Sequence, residues 1–157
     1  MSEDATTLTT AATVHAPLLE LWKVFTTDEG YKKLGVAQAR IQAHPGGMIW
    51  TSYDPNAVLG SPQSIGTEIL SIELTRTKGT ICTRIQHPPE GFPFVPAHQT
   101  VRTLIQITPI DDQHSHLSIT MSGFDASEKS QKMREFFRTG NAWVMQQLQS
   151  AFSEPTS

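Results

Sequence analysis

Apolar and polar residues alternate one by one along much of the chain, and this period of two predicts β-strands. In the segment 6–14, Leu8, Ala12 and Val14 share one face, and Thr9 and Thr13 share the other. The same pattern, interrupted by turn-forming residues, predicts six further strands at residues 38–43, 48–53, 65–74, 79–86, 99–108 and 115–122. Short links between consecutive strands predict an antiparallel meander.

Helical spacing replaces this alternation in three places. After Pro17, apolar residues at positions 18, 21, 22 and 25 predict a short amphipathic helix. Thr27 as N-cap and Gly35 as C-cap predict a second short helix. The longest helix is predicted over residues 126–152 with Ser127 as its cap, and the tail after Ser153 is expected to fray.

These elements predict an α+β fold in which a curved antiparallel sheet of about seven strands wraps around one long C-terminal helix. Two short helices follow the first strand. We expect a single domain over residues 1–157 with an ordered core of about residues 6–152. A twisted sheet that grips one helix tends to leave a void between them, and this void is the predicted functional site.

The composition narrows the classes of partner. Of the 157 residues only 17% are charged, the net charge is −3 and no Lys/Arg cluster occurs, so we expect no nucleic-acid or anionic-membrane surface. The N-terminus lacks an apolar signal segment, no run is long enough to span a membrane, and Cys82 is the only cysteine, so a cytosolic location is expected. Polarity comes mainly from 13 Ser and 19 Thr.

Seven landmarks follow one another along the chain: Ala16-Pro17, Leu21-Trp22 with Phe25-Thr26, residues 28–34, His44-Pro45-Gly46-Gly47-Met48, residues 66–72, residues 117–124, and Gly140-Asn141-Ala142-Trp143 with Leu148. In this order they resemble the SRPBCC (START-related, helix-grip) superfamily, and in particular its AHSA-like branch of heat-shock-protein ATPase activators. The resemblance implies a helix-grip fold with a hydrophobic cavity. It also implies relatives that bind lipids, sterols, polyketides or other apolar ligands, or that catalyse cyclisation or aromatisation.

Candidate ligand-binding residues are large aromatic residues, strand threonines and residues of the last helix. Three threonines lie on the apolar phase of their strands, where their hydroxyls supply polar contacts in an otherwise apolar cavity. The predicted ligand-binding residues are Trp50, Thr51, Tyr53, Thr83, Phe92, Phe94, Thr103, Phe137, Gly140, Asn141 and Val144.

Two of these features have several interpretations. The proline-rich loop 87–98 carries Phe92 and Phe94, which close the end of the core, form a lid over the cavity or contact a second subunit. Gly140 lowers helix stability by about 1 kcal/mol relative to Ala. It indicates close packing, a position beside the cavity or a break into two helices.

Charged and metal-binding groups have weaker signals. Alternation places Arg84 and Arg102 on the outer face, where a pair with Glu68 or Glu73 is expected. If the cavity face is instead the polar face at that end of the sheet, either arginine could bind a carboxylate of the ligand. The histidines lack the spacing of known zinc sites, so neither a metal nor another cofactor is expected. No catalytic residue is assigned, because no nucleophile, nucleotide or metallohydrolase motif occurs.

The favoured hypothesis is a protein that binds a small, mostly apolar ligand in the cavity between sheet and helix. An alternative is a cyclase, aromatase or dehydratase that uses the same cavity, although catalysis is less favoured than binding. A third hypothesis, a protein-interaction or co-chaperone-like module, includes the formation of a homodimer.

Overall fold

The computed structural model describes residues 4–153; the predicted tail after Ser153 and the outer limits of the predicted domain lie outside this range. Within it the chain forms seven strands, three α-helices and two short 3-10 turns. The strands are β1 Thr7–Val14, β2 Gln38–Ile41, β3 Met48–Ser52, β4 Ile65–Leu74, β5 Gly79–His87, β6 Arg102–Pro109 and β7 Ser115–Ser122. The helices are α1 Leu18–Thr26, α2 Asp28–Tyr31 and α3 Glu128–Ala151, and the turns are Lys32–Leu34 and Ala97–Thr100.

All seven strands form one antiparallel sheet in the order β1-β7-β6-β5-β4-β3-β2. Strands β2 to β7 follow one another as a meander, and β1 joins the far edge beside β7. The predicted α+β architecture, with its seven-stranded sheet, two short helices after β1 and long last helix, is confirmed.

The core lies between one face of the sheet and the helices. Leu148 of α3 and Leu21 of α1 are fully buried, as are Ile81, Ile107 and Leu117 of the sheet. A second cluster at the other end of α3 contains Leu8, Val101, Met121, Phe124 and Met133. The helix therefore packs firmly against the sheet at both of its ends.

Strand β4 is where the sheet bends. Its register with β5 shifts between Gly66 and Thr67 and again between Ile69 and Ser71. Such bulges insert an unpaired residue, bend the strand and increase its twist. The sheet curves around α3 as a result.

The short helices are held by the predicted caps. The Thr27 hydroxyl oxygen accepts a hydrogen bond from the Gly30 amide at 3.0 Å, and Gly35 ends the following turn with a φ of 105°. Gly30 also lets α2 lie directly on α1, because a Cβ atom there would meet the Lys23 carbonyl oxygen. This packing determines where Tyr31, the last residue of α2, is placed.

The outer face of the sheet carries the two arginines, as predicted. The Arg84 Nε atom lies 2.8 Å from Glu68 Oε1, and the two residues are directly paired across β4 and β5. Arg102 instead donates to the backbone carbonyls of Gln99 and Val101. No helix within residues 4–153 is both long and apolar enough to cross a membrane.

The predicted strand 99–108 begins too early. Residues Ala97–Thr100 form a 3-10 turn, and pairing with β7 starts only at Arg102. Local backbone bonds from His98 to Phe94 and from Gln99 to Pro96 hold the turn. Period-two reasoning does not detect a turn of this length.

Helix α3 runs without interruption through Gly140, so a break into two helices, one of the three interpretations of this glycine, is wrong. Ser127 caps the helix, as expected, by accepting a hydrogen bond from the Ser130 amide. Gly140 is exposed, and a Cβ atom built there meets no atom within 4 Å. Neither close packing nor a position in the core accounts for this glycine.

Replacing Gly140 with alanine is therefore expected to raise the free energy of unfolding by about 0.5–1 kcal/mol, since Ala favours helix and nothing collides with its methyl group. Urea denaturation measures the change. The matched variant Gly35→Ala should be destabilised, because φ there is positive and the added Cβ would meet the Trp143 ring. Destabilisation by Gly140→Ala would contradict this account.

Candidate functional site

A cavity of about 210 Å³ lies between the inner face of the sheet and α3. Strands β3 to β7 form its floor, and α1, α2, the following turn and α3 form its walls. Its lining residues are Phe25, Tyr31, Leu34, Val36, Thr51, Tyr53, Ile65, Thr67, Thr83, Ile85, Thr103, Ile105, Ile119, Met121, Phe137, Asn141 and Val144.

Four adjacent strands each contribute one threonine to the floor: Thr51 from β3, Thr67 from β4, Thr83 from β5 and Thr103 from β6. Thr83 and Thr103 are direct partners across the sheet. Each threonine shares its face with an isoleucine two residues away, because side chains along a strand alternate between faces. The floor is thus an apolar surface that carries a band of hydroxyl groups.

Helix α3 presents Phe137, Asn141 and Val144 to the cavity, at a spacing of four and then three residues that keeps them on one helical face. The Asn141 Nδ2 atom lies 3.4 Å from the sulfur of Met121 on β7. This contact holds the amide against the sheet beside the threonines.

The two tyrosines of the protein, Tyr31 and Tyr53, both line the cavity. Burial raises the pKa of Tyr31 to about 12, and nearby Tyr53 adds a smaller effect in the same direction. Tyr53 is 58% exposed, and its partial burial also raises its pKa. Both phenols therefore keep their protons at neutral pH.

The hydroxyl groups of the cavity wall are not used within the fold. None of their oxygens exchanges a hydrogen bond with another group in residues 4–153, and none is fully enclosed, because His98 Nδ1 is the only fully buried side-chain polar atom without a partner there. These hydroxyls are therefore accessible and can exchange hydrogen bonds with a bound molecule. They belong to Tyr31, Thr51, Tyr53, Thr67, Thr83 and Thr103.

The cavity wall carries no formal charge. Of the residues in the described part of the chain that line it, none is Asp, Glu, Lys, Arg or His. The surrounding ion pair of Arg84 and Glu68 lies on the opposite face of the sheet. Nor does any group of three or more His, Cys, Asp or Glu within residues 4–153 have the geometry to hold a metal ion.

Two exposed aromatic residues lie beside the cavity: Tyr53, which belongs to its lining, and Trp143, which contacts Tyr53. The rings of Tyr53 and Trp143 lie 6.2 Å apart between centroids at an angle of 61°. Trp143 lies directly over Gly35, which has no side chain to displace it. These contacts join the end of β3, the turn before β2 and the middle of α3.

Seven of the predicted ligand-binding residues surround this cavity, and their contact with a ligand stays a prediction. They are Thr51, Tyr53, Thr83, Thr103, Phe137, Asn141 and Val144. Sequence reasoning did not select Tyr31 or Thr67. Thr67 has the same signal as the other threonines, since it lies between Ile65 and Ile69 on the apolar phase of β4.

Trp50 is not in the cavity, which corrects its prediction as a lining residue. It neighbours Thr51 in β3, and adjacent strand residues face opposite sides of a sheet. Its ring lies against Gly66 and 5.3 Å from the His87 ring, on the outer face. Gly140 also lies outside the cavity, on the exposed side of α3.

Phe92 and Phe94 likewise do not line the cavity. Their rings pack 5.5 Å from each other, and Phe92 lies 5.9 Å from Phe136 and 6.4 Å from Phe137 between centroids. Phe94 also packs on the second core cluster. The loop therefore places Phe92 and Phe94 against Phe136 and Phe137 of α3, next to the second core cluster.

A larger depression of about 880 Å³ lies at the opposite end of the sheet, between α1 and two strand turns. Leu19, Asp111 and Asp112 on its rim are exposed. It is a more open surface groove than the smaller cavity, whose lining includes buried residues of the main core such as Phe25, Leu34 and Ile105. The inner cavity is the better candidate because it removes a ligand from water.

The comparisons with known proteins show the fold. No protein-family model and no curated protein sequence matches the chain. The Aha1 dimer from Colwellia psychrerythraea is 14% identical, with a TM-score of 0.68 over 96% of this chain and 98% of that one. Protein MLL2253 from Mesorhizobium loti is 15% identical, with a TM-score of 0.67 over 92% and 94%.

Ara h 8.0201 is similar as well, at 13% identity and a TM-score of 0.60 over 93% of this chain and 96% of that one. At such identities the likeness concerns the backbone arrangement. The predicted START-related, helix-grip fold is confirmed by these structures.

The placement of Tyr31 is tested by titration of a Tyr53→Phe variant, in which Tyr31 is the only tyrosine. Tyrosinate absorbance should appear with a midpoint well above pH 10 in the folded variant, because desolvation, the larger cause, remains although the smaller effect of Tyr53 is removed; in urea the midpoint should lie near pH 10. Because the folded pKa is raised, the stability linked to this group is present below pH 10 and is lost as pH rises towards 12. A midpoint near pH 10 with native circular dichroism would contradict the burial.

Proposed function

We propose that this helix-grip protein binds a small, uncharged, largely apolar molecule in the cavity between its sheet and α3. The observation that carries the proposal is the chemistry of the wall: an apolar lining without charge, on which six hydroxyl groups lack partners in residues 4–153. Wall groups of this kind suit a ligand whose surface is mainly hydrocarbon with one or two polar atoms.

The cavity volume limits the size of the ligand. An apolar cavity of about 150 Å³ accommodates benzene. The 210 Å³ of this cavity therefore suits a compound of roughly one or two rings. A sterol or a long-chain lipid needs more room, so the proposal narrows the ligand classes that the family resemblance implies.

The lining also favours binding over acid–base catalysis. A cyclase or dehydratase that removes a proton from its substrate needs a general base that is deprotonated near neutral pH. Tyr31 and Tyr53 are the most acidic lining residues of the described chain, and their raised pKa values keep them protonated, so neither serves as that base. Binding is accordingly the function that this site supports best.

Filling the cavity tests the proposal. Val144→Phe places a ring in the space, whereas the matched change Gln146→Phe adds the same ring on the exposed side of α3. One- and two-ring neutral compounds, supplied at about 100 times their Kd, should stabilise the wild type by about 2.7 kcal/mol. That corresponds to a rise in Tm of roughly 5–10 °C.

Gln146→Phe should keep this thermal shift and Val144→Phe should lose most of it. Native mass spectrometry counts the bound molecules directly. If no neutral compound of the panel binds the wild type, or if both variants bind as well as the wild type, the cavity is not the ligand site.

Self-association is a second candidate function, supported by a different surface. Phe136 is 50% exposed and Val95 is 45% exposed, beside the ring cluster of the proline-rich loop. The similar Colwellia protein is described as a dimer. A homodimer through this surface would bury aromatic residues of the kind that interfaces favour.

Analytical ultracentrifugation over a range of protein concentrations checks the homodimer. The wild type should shift from 17.3 kDa towards twice that mass, and Phe136→Ser should weaken the association at least tenfold. Leu19→Ser is the matched control, since Leu19 is 60% exposed at the opposite end of the protein. A monomer at every concentration contradicts the homodimer.

A further inference from the structure

Of the two tyrosines that line the cavity, Tyr31 has the more firmly packed ring. The residue ends α2, which rests on α1 through Gly30, and its ring meets the edge of Phe25 at 6.5 Å between centroids. In the described residues no group exchanges a hydrogen bond with its oxygen. Packing therefore fixes the ring of Tyr31 at the cavity wall.

A phenol held in this way is a specific recognition group. A site that hydrogen-bonds a ligand discriminates against an analogue without the matching atom, because the site's own polar group then loses its partner when the ligand displaces water. Phenol is also a stronger acid than the threonine hydroxyls of the floor, so the two tyrosines are better hydrogen-bond donors than the threonines. Tyr53 is 58% exposed, and the more buried of the two phenols is Tyr31. Its raised pKa keeps the donor proton in place.

The matching ligand atom is an acceptor without charge. A carboxylate would enter a cavity that offers no Lys, Arg or His within residues 4–153 to balance it, at a large desolvation cost. A carbonyl oxygen accepts a hydrogen bond without donating one and carries no charge. It fits both the donor and the neutral lining.

We infer that the ligand of this cavity is a neutral one- or two-ring ketone or aldehyde whose carbonyl oxygen accepts a hydrogen bond from Tyr31. The inference rests on the proposed function and specifies its ligand class. The apolar ring system of such a ligand packs against Ile105, Ile119 and Phe137, and the carbonyl end lies towards α2.

Four compounds of nearly equal size test this inference by calorimetric titration: indane, 1-indanone, 1-indanol and indane-1-carboxylate. The wild type should bind 1-indanone about tenfold more tightly than indane, the size of one well-made hydrogen bond. Indane-1-carboxylate should bind at least tenfold more weakly than 1-indanone. Comparable or tighter binding of the carboxylate overturns the claim of a neutral ligand, and tighter binding of 1-indanol overturns the choice of a carbonyl.

Tyr31→Phe removes only the hydroxyl, and the ratio of indane to 1-indanone dissociation constants should fall from about ten to below three. Binding of indane should stay within about twofold, which shows that the cavity is intact. Thr80→Val removes a hydroxyl from the outer face of β5 as a matched control and should leave the ratio unchanged. A ratio that survives in Tyr31→Phe overturns the role of Tyr31.

Infrared spectroscopy gives a readout independent of affinity. The carbonyl stretch of bound 1-indanone should lie at lower frequency in the wild type than in Tyr31→Phe, because a hydrogen bond weakens the C=O bond. Equal frequencies overturn the inference. If indane and 1-indanone bind equally well to the wild type, the carbonyl inference fails while the proposed function stands; if no compound of the series binds, the proposed function fails with it.

Discussion

One long helix is too small to cover the inner face of a seven-stranded sheet evenly, and this difference in size determines how the structure packs. Helix α3 packs tightly at its two ends, where Met133 and Leu148 are fully buried. Between these ends the bulged strand β4 bends the sheet around the helix. The middle of α3 contributes Phe137, Asn141 and Val144 to the lining of the cavity, and Asn141 contacts Met121 of β7 there. The cavity is thus a consequence of the architecture, and the residues that line it determine its chemistry.

The low charge of the chain is reflected in the residues that line this cavity. Four neighbouring strands each have a threonine at an inward position, next to inward positions that carry isoleucine. Threonine is β-branched like isoleucine, but it has a hydroxyl group where isoleucine has a carbon atom. The sheet loses little packing, and the cavity gains polar atoms without ionic groups. Ionic groups such as Arg84 and Glu68 are kept on the outer face.

Much of this arrangement was predictable because strand alternation and helix spacing are local properties. They identified all seven strands, the caps Thr27 and Ser127, and three of the four threonines of the floor. The same alternation shows why Trp50 and Thr51 cannot share a face, so side-chain size was a poor guide for Trp50. Phe92 and Phe94 lie in an irregular loop, where no period indicates the direction of a side chain.

The position of Tyr31 could not be predicted from local sequence patterns. Its orientation depends on the tight contact of Gly30 with α1, which joins two elements across a cap. A pattern within one helix of four residues carries no such information. Gly140 shows the converse: a glycine in a helix suggested a special contact, and the structure gives it none.

The two ends of the described chain are tied to each other. Strand β1 completes the sheet by pairing with β7, and the Arg134 guanidinium of α3 donates to the backbone carbonyls of Thr7 and Asp4. These contacts join residues more than a hundred positions apart. Because closing such long loops costs much conformational entropy, we expect these contacts to form late in folding. During synthesis on the ribosome, β1 must wait for β7 and α3 to emerge before it gains its partners. The meander β2 to β7 can assemble strand by strand, but the cavity is formed only when α3 packs onto the sheet.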